Sequence, residues 1–429
     1  NFEGHDPSKQ ILLEIMSGHG NSEEYREIAS ANFLQDKTMS CPEPTDDFLP
    51  CCWQAGEMQK KRCDGLSKDE CDARVELAKK YTLAGGPYTN MVFPEAKPEE
   101  WLNCDQCTDC FKPSFNYRPK QSAQYALALS DFQESDDFIQ RYNFGFIAST
   151  DDHTARPGTG YKQYERRKMT FATGVKSKIW EYQYKAEDPN FPEIPKIFPG
   201  ESQPDSERVS SFVYPGGILA VHAEGRGKDA IWTALKNKNV YGTSGPRILL
   251  WFDLINSPEG KVPMGSEVIM SQNPRFSIKA AGSFKQKKGC SNESIDSLSS
   301  ERLNYLCAGE CYNPSNDRHT ITRIEVIKIT PQIYSGEAIG PLIQDPWLEL
   351  PCQGTGECIV EFEDQNFSRD SVYYVRAIQE ATPAINGASL SKRDEFKLCK
   401  GSFRTDLEDD CLSATNERAW SSPIYINKP

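Results

Sequence analysis

The chain has 429 residues, with 49 Lys and Arg against 62 Asp and Glu, and a formal net charge of −13. That length allows two or three domains with a sizeable core. The acidic balance argues against nucleic acid as the main partner, because binding of phosphates needs a basic surface. No apolar run approaches the ~18 residues that a membrane span requires. We therefore expect a soluble globular protein with no membrane span.

The first predicted element is a short apolar strand over residues 11–15, bounded by a Ser-Gly turn signal. It carries Glu14 and leads to His19, which stands between two glycines. Residues 21–28 begin with capping-box spacing and predict a helix. His19 is then a candidate site residue in a strand–loop–helix unit. Glu14 is either a site residue or a strand carboxylate paired with a neighbouring Arg or Lys.

Cysteine is unusually abundant: eight of the fifteen lie within residues 41–110 and seven within 290–411. Such clusters indicate zinc or iron–sulfur centres in a cytosolic enzyme and disulfides in a secreted protein. Two glycosylation sequons, at Asn292 and Asn366, are compatible with the secretory route. We interpret the cysteines as disulfides of a secreted or periplasmic glycoprotein, with one thiol left over by the odd count.

Residues 38–112 have the Pro- and Gly-punctuated pattern of a disulfide-stapled insertion, with one helix predicted over 68–81. At its end, Cys104, Cys107 and Cys110 have spacing at which a metal site competes with disulfides. The run lacks the fourth ligand of most thiolate sites, and its acidic neighbours do not favour a thiolate. We therefore favour disulfides.

A predicted helix over 121–132 precedes a predicted strand over 142–148, which ends in a cluster of polar residues. Asp151 and His153 are two positions apart, so in extended backbone their side chains project to the same side. A carboxylate and an imidazole at the end of a strand are suitable ligands for a divalent metal. The alternative is an Asp-rich turn with a solvated histidine, but the preceding strand and the following Gly/Pro loop favour a metal site.

A third unit consists of a predicted strand over 217–222 and an amphipathic helix over 229–238. His222 ends this strand and is either packed against the helix or a further site residue. The small residues of 240–246 either expose backbone N–H groups to an oxyanion or end a domain.

Beyond Arg247, short segments rich in Val, Ile, Tyr and Phe alternate with turns, and no helix is predicted between them. This pattern predicts an antiparallel β-sandwich with cysteines stapling its long loops. The predicted strands are 248–254, 276–281, 321–330, 358–362 and 372–378.

Several motifs resemble those of a large bacterial family of PHP-like metal-dependent phosphohydrolases that carry a domain of unknown function. The motifs are SGHGNSE (17–23), CDQCTDCFKPSFNYRP (104–119), SAQYALAL (122–129), GFIASTDDHTARPGTGYK (145–162), AVHAEGRGKDAIWTALKNKNVYGTSGPRI (220–248) and ERAWSSPIY (417–425). The resemblance covers nearly the whole chain. It implies a PHP-type distorted (β/α) barrel with a polymetallic site at the carboxyl ends of its strands.

The resemblance also implies roles for individual residues. Asp151 and His153 correspond to the last Asp-x-His metal pair of that fold. Arg156 and Arg247 lie in motif loops, where they would meet a substrate anion. The candidate metal ligands are Glu14, His19, Asp151 and His153, and the candidate catalytic residues are Arg156 and Arg247. The implied cofactors are divalent ions: Zn, Mn, Fe or Ca.

The sequence departs from the family in one respect. PHP sites begin with a His-x-His pair on the first strand, and the five histidines here include no such pair. Half a barrel cannot bury its sheet alone. We expect the N-terminal barrel half to come from sequence outside these residues or from another chain, unless the ligands have been lost. The predicted domains are 1–37 (barrel strand and helix), 38–112 (Cys-rich insertion), 113–246 (barrel continuation with the Asp-x-His motif) and 247–429 (β-sandwich).

These observations favour a secreted PHP-type hydrolase that acts on a small phosphoester or related anion, with its metal ions activating a water. The competing hypothesis is an extracellular structural or filament-forming protein, assembled as a homo-oligomer on a PHP-like scaffold with an incomplete or inactive site. Metal content and phosphodiesterase activity separate the two.

Overall fold

The computed structural model describes residues 2–18, 20–27, 41–46, 48–85, 92–94, 96, 98–107, 109–111, 114, 119–135, 138–150, 188–194, 216–307, 311–354, 356–385 and 412–429. The helices are α1 Cys51–Lys60, α2 Lys68–Gly85, α3 Pro98–Trp101, α4 Ala123–Ala128, α5 Lys228–Lys236, α6 Asn292–Ser297 and α7 Ser300–Cys307. Short 3-10 turns lie at Phe2–Gly4, Pro119–Gln121 and Gly340–Leu342.

The strands, in chain order, are β1 Leu12–Ser17, β2 Gly20–Asn21, β3 Ser130–Ser135, β4 Phe138–Arg141, β5 Gly145–Ala148, β6 Ile218–Val221, β7 Val240–Thr243, β8 Leu249–Ser257, β9 Gly260–Pro263, β10 Glu267–Ile269, β11 Arg275–Ala281, β12 Phe284–Gln286, β13 Pro314–Arg318, β14 Ile321–Ile329, β15 Ile343–Pro351, β16 Glu357–Glu363, β17 Ser371–Gln379, β18 Thr382–Ile385, β19 Leu412–Thr415, β20 Arg418–Ser421 and β21 Ile424–Asn427. The chain is therefore mixed α/β and rich in antiparallel pairs.

Strand β17 is buried at every position because it lies inside an eight-stranded sheet that is covered on both faces. Strand β14 pairs with one of its edges, while β20 and β21 share the other. A four-stranded sheet of order β16-β11-β8-β9 packs on one face. Phe252, Phe276 and Tyr373 meet in the core between the two sheets. The five strands predicted beyond Arg247 are confirmed, and they form this pair of packed sheets.

The opposite face of the eight-stranded sheet is covered by the three-stranded sheet β2-β1-β5 and by α4. Ile15, Leu127 and Phe146 pack there against Tyr374 and Trp420 of the large sheet. Strands β1 and β5 are parallel neighbours. This parallel pair agrees with the α/β character predicted for the N-terminal part, while the complete barrel remains a prediction.

Three sequence predictions differ from the structure. The helix predicted over 21–28 is absent from described residues 22–27, because the backbone donors bond elsewhere: the N–H of Glu23 donates to Asn21 Oδ1 (3.0 Å) and that of Tyr25 to Gln124 Oε1 (2.7 Å). The helix predicted over 121–132 ends at Ala128 and gives way to β3. Short helices α6 and α7 lie within the C-terminal region, where none was predicted.

The third predicted unit has its strand and helix in place as β6 and α5. However, β6 pairs antiparallel with β7, and β7 pairs with β20 of the eight-stranded sheet. This sheet therefore runs across the domain boundary predicted between residues 246 and 247. Hydrophobic periodicity identifies a strand but does not fix the direction of its partner.

The Cys-rich segment packs α1 against α2 around Ala55, Met58 and Ala78 and is stapled by disulfides. The disulfides within described residues are Cys41–Cys52, Cys51–Cys104, Cys63–Cys71, Cys107–Cys110, Cys290–Cys311 and Cys352–Cys358. The disulfide interpretation of the Cys104–Cys110 run is confirmed. Such pairing is typical of proteins that mature in an oxidising compartment. None of the described helices is long and apolar enough to cross a membrane.

Candidate functional site

Two predicted site segments follow the parallel strands β1 and β5. Because the carboxyl ends of parallel strands lie at the same edge of a sheet, the chain segments that follow β1 and β5 leave the sheet side by side. Here the N–H of Ser149, which directly follows β5, donates to the carbonyl of Met16 (2.9 Å), the last residue but one of β1. The exposed carboxylate of Glu14 accepts a hydrogen bond from Ser149 Oγ at Oε2 (2.6 Å). We call this place, formed by Glu14, Met16, Ser149 and Thr150, the strand-end edge.

Four of the predicted site residues, His19, Asp151, His153 and Arg156, lie outside the described residues. The described neighbours of two of them, His19 and Asp151, lie at or next to the strand-end edge. Ser17 pairs with Gly20 in the β1–β2 hairpin, on either side of position 19. Thr150 is buried and precedes Asp151.

A third segment reaches the strand-end edge at Gly216 and Gly217, where the described chain resumes. The N–H of Gly217 donates to the carbonyl of Ser149 (2.6 Å). A Cβ built on Gly216 would lie 2.8 Å from the same carbonyl oxygen, a separation that real Cβ atoms essentially never show. Glycine is therefore required for the chain to return this close to the end of β5. The sequence analysis did not predict this contact. The one feature of the sequence that points to it is the Gly-Gly pair before a predicted strand.

Arg247 lies shortly after the end of β7, whose last residue, Thr243, lies beside Gly217. Its exposed guanidinium is centred 3.9 Å from the ring centroid of Tyr312, a cation–π contact. The Arg247 side chain is thus placed on the C-terminal sheets, in a loop that starts near the strand-end edge.

His222 lies at the opposite end of β6 from Gly217. Its Nε2 is 2.8 Å from the carbonyl oxygen of Leu250, and its ring packs against Tyr241 and Trp251. Since a carbonyl only accepts, Nε2 must carry the proton there and donate it. The structure therefore favours the interpretation that His222 is a packed side chain and not a site residue.

For residues 240–246 the sequence left open an oxyanion site or the end of a domain, and two backbone N–H groups of this segment are used within the protein. The N–H of Ser244 donates to the carbonyl of Arg418 (2.9 Å), and that of Gly245 donates to Thr243 Oγ1 (3.1 Å). Both residues are buried. The first bond continues the pairing of β7 with β20, and the second closes a turn after β7.

A buried ionic cluster, missed by sequence reasoning, lies next to the strand-end edge, where the chain continues from β2. Glu23 is fully buried and accepts hydrogen bonds from Tyr374 Oη (2.7 Å), Arg376 Nε (2.6 Å) and Trp420 Nε1. The other nitrogens of Arg376 bind both oxygens of Asp345 (2.6 and 2.5 Å). The cluster ties the segment after β2 to strands β15, β17 and β20. Its clearest sequence signal is an arginine in the middle of the apolar strand predicted over 372–378.

The neighbouring Glu24 continues the cluster. It accepts hydrogen bonds from Arg26 (2.8 Å) and from the backbone N–H of Phe111 (3.3 Å), and Arg418 lies 3.6 Å away. The Arg418 guanidinium also lies over the ring of Phe111, at 4.2 Å from its centroid. Buried charges persist in proteins only with such compensation. The cluster therefore holds the β1–β2 hairpin in place, which makes it a positioning element for the strand-end edge.

The Glu23 carboxyl gives the cluster a pH dependence. Burial raises the pKa of Glu23 to about 7, although the charge of Arg376 acts in the opposite direction. Between its unfolded pKa, near 4.5, and this folded value, the native state holds a proton that the unfolded chain releases. The stability contributed by this protonation is therefore fully present below the unfolded pKa and is lost as pH rises through the folded pKa.

We predict that replacing Glu23 by Gln removes this pH dependence while keeping the size of the side chain. The free energy of unfolding of the wild type minus that of Glu23→Gln should fall by up to about 3 kcal/mol between about pH 4.5 and about pH 7.5. Urea unfolding of both proteins at several pH values measures this difference. A difference that stays constant or rises across this range would contradict the prediction.

In comparison with known families, residues 132–287 match the model of DUF3604, which is described as a protein of unknown function. The matched span includes β5, β6 and β7, and therefore much of the strand-end edge and the Asp151–His153 motif. Comparisons of the sequence with curated proteins and with solved structures found no match.

Among the residues that the structure describes, no three His, Cys, Asp or Glu side chains form a group that could hold a metal ion. Glu14 is the predicted ligand that these residues include. An exposed carboxylate suits a divalent cation, since oxygen ligands bind Ca, Mn and Zn alike. Its hydrogen bond from Ser149 is the kind of contact that orients a metal-binding carboxylate. Glu14 therefore fits the role of a ligand.

Proposed function

We propose that this protein is a secreted metal-dependent hydrolase of PHP type that acts on a phosphoester or a related anion. The observation that carries the proposal is the strand-end edge: β1 and β5 are parallel, and Glu14, within β1, accepts a hydrogen bond from Ser149, which directly follows β5. Barrel enzymes place their active sites at the carboxyl ends of their strands. The segments that carry His19 and Asp151 both continue from this edge.

In this proposal, Glu14, His19, Asp151 and His153 hold two or three divalent ions, with further ligands from an N-terminal barrel half. Bound ions would supply an activated water and stabilise negative charge on the substrate. The Ser149 hydroxyl fixes the carboxylate of Glu14 for this task.

The arginines complete the proposal. Arg156 follows the Asp151–His153 motif closely in sequence and would bind the substrate anion through its guanidinium, which matches phosphate oxygens in a bidentate way. Arg247 would assist only if its side chain left the ring of Tyr312.

The alternative function is an extracellular structural or assembly protein. The observation that favours it is the extensive disulfide stapling of both the insertion and the C-terminal sheets. A scaffold of this kind needs neither a metal nor hydrolytic activity, so the two functions give opposite results in the same assay.

We predict that Glu14→Gln lowers kcat/KM for hydrolysis of bis-p-nitrophenyl phosphate by at least about 10- to 100-fold, because replacing even a residue that only orients a metal ligand typically costs that much. The assay uses the natural mature protein with Mn²⁺ added, and a chelator should abolish the wild-type activity. The matched control is Glu349→Gln, which removes an exposed strand carboxylate 3.4 Å from Arg323. Full activity of Glu14→Gln would exclude Glu14 from the site, and hydrolysis that survives the chelator would contradict a metal-dependent enzyme.

A further inference from the structure

A buried lysine and a buried aspartate meet between the two packed sheets. Lys328 lies on β14 of the eight-stranded sheet, and Asp364 directly follows β16 of the four-stranded sheet. Lys328 Nζ contacts Asp364 Oδ2 directly, and the two side chains are only 10% and 1% exposed. The pair therefore connects one layer of the structure to the other in a place that water hardly reaches.

The surroundings of this pair are aromatic. Lys328 Nζ lies 5.0 Å from the centroid of the Trp347 ring and 5.8 Å from that of Tyr373, and Phe362 packs against Trp347. Removing an ammonium and a carboxylate from water costs several kcal/mol per ion. Transfer of one proton from Nζ to Oδ2 removes both charges and leaves a free amine beside a carboxylic acid. A free amine is a nucleophile.

Both carboxyl oxygens of Asp364 are held by hydrogen-bond donors. Oδ1 accepts from the backbone N–H of Asn366 (3.0 Å), and Oδ2 accepts from the hydroxyl of Tyr373 (2.5 Å). Tyr373 is directly opposite Lys328 in the antiparallel β14–β17 pair, so the two side chains share one face of the sheet. Burial and the nearby Asp364 raise the pKa of Tyr373, so its hydroxyl keeps its proton and donates. Donors at both oxygens withdraw electron density from the carboxyl carbon and favour attack on it.

We propose that Lys328 and Asp364 condense into an intramolecular isopeptide bond that covalently links the two sheets. The neutral Lys328 Nζ attacks Asp364 Cγ, and the backbone N–H of Asn366 stabilises the negative charge that develops on Oδ1. The Nζ–Cγ bond forms and the Cγ–Oδ2 bond breaks. Oδ2 leaves as water, with one proton from the carboxylic acid and one from the amine. The reaction needs no oxidant or co-reactant, and the fixed proximity of the two groups supplies the effective concentration that it requires.

This bond would close a loop between residues separated by 36 positions in the chain. Like a disulfide, it would restrict the unfolded state, but a reducing agent would not break it. It would lie in the same C-terminal region as the Cys290–Cys311 and Cys352–Cys358 disulfides.

The tryptic peptide that contains both residues, taken from the natural mature protein after full reduction and deglycosylation, tests the proposal. Between Arg323 and Arg369, Lys328 is the only site at which trypsin can cut. We therefore expect one internally linked peptide of residues 324–369, uncut after Lys328 and lower in mass by one water than its sequence. The control is the pair Lys261 and Asp253, whose Nζ–Oδ2 distance is 2.7 Å but whose lysine is 64% exposed; trypsin should cut after Lys261 normally. Cleavage after Lys328, or a 324–369 peptide with the full mass of its sequence, overturns the proposal, as does a lost water that maps to other residues of the peptide.

Two variants test the chemistry. In Lys328→Met, the peptide of residues 324–369 should have the full mass of its sequence, because the nucleophile is gone. Tyr373→Phe should slow formation of the bond at least about tenfold, since loss of one hydrogen-bond donor to the reacting carboxyl typically costs that much or more. The time course of water loss after refolding measures this rate. Formation at the wild-type rate in Tyr373→Phe overturns the role given to Tyr373, and water loss in Lys328→Met overturns the bond itself.

Discussion

Replacing Arg376 by alanine is expected to lower the free energy of unfolding by about 3–5 kcal/mol, because it leaves buried carboxylates without their counterion. Arg376 is 4% exposed and binds Glu23, Asp345 and Glu325. Although burial acts to raise it, the charge and hydrogen bonds of Arg376 hold the pKa of Asp345 below its ordinary value. Urea unfolding at neutral pH measures the loss.

The matched control for this prediction is Arg275→Ala. Arg275 lies on β11, its side chain is 52% exposed, and its contacts with Glu361 and Glu363 are 3.8 and 3.9 Å. Exposed ion pairs of this kind contribute about 0–1 kcal/mol. If Arg376→Ala cost no more than Arg275→Ala, the buried cluster would not be what holds the β1–β2 hairpin on the large sheet.

The double replacement Asp151→Ala with His153→Ala is expected to lower kcat/KM for phosphodiester hydrolysis by at least about a thousand-fold, or roughly 4 kcal/mol of transition-state stabilisation. The reason is that two of the proposed metal ligands are lost together. Hydrolysis of bis-p-nitrophenyl phosphate at saturating Mn²⁺ measures the effect, and thermal unfolding checks that the variant is folded.

A matched double variant, Asp253→Asn with His319→Ala, controls for the loss of one carboxylate and one imidazole elsewhere. Asp253 pairs with Lys261 and His319 with Glu380, both on the C-terminal sheets. This variant should retain wild-type activity. Equal activity of the two double variants would assign any hydrolysis to another site.

Much of the C-terminal fold could be predicted from the sequence, because its strands alternate in hydrophobicity. In β11, for example, Phe276, Ile278 and Ala280 are buried and the residues between them are less so. Which strands pair with each other was harder to predict. The strand β6 and the helix after it suggested a barrel unit, but β6 pairs antiparallel with β7, which was not predicted as a strand and which pairs with β20.

Local signals also failed where distant contacts override them. Asn21 and Glu24 have the spacing of a helix cap, yet Glu23 and Glu24 are drawn into the ionic cluster and the segment is not helical. The positions of the cysteines also did not predict which of them pair. The adjacent residues Cys51 and Cys52 form disulfides with different partners, Cys104 and Cys41. Spacing alone cannot choose between such partners.

For the candidate site, the sequence predicted that polar residues follow two short apolar strands. The structure adds that these strands are parallel neighbours and that Glu14, within the first of them, accepts a hydrogen bond from Ser149, which directly follows the second. The return of the chain at Gly216 and Gly217 could not be predicted, because it depends on the path of a long intervening segment.

The metal content of the natural mature protein tests the proposed function most directly. After equilibration with Zn²⁺, Mn²⁺, Fe²⁺ or Ca²⁺ and removal of free ions, elemental analysis should find at least one tightly bound divalent ion per chain. The Asp151→Ala/His153→Ala variant should have lost it. Absence of any stoichiometric metal from the folded wild-type protein would contradict the hydrolase proposal and favour the structural alternative.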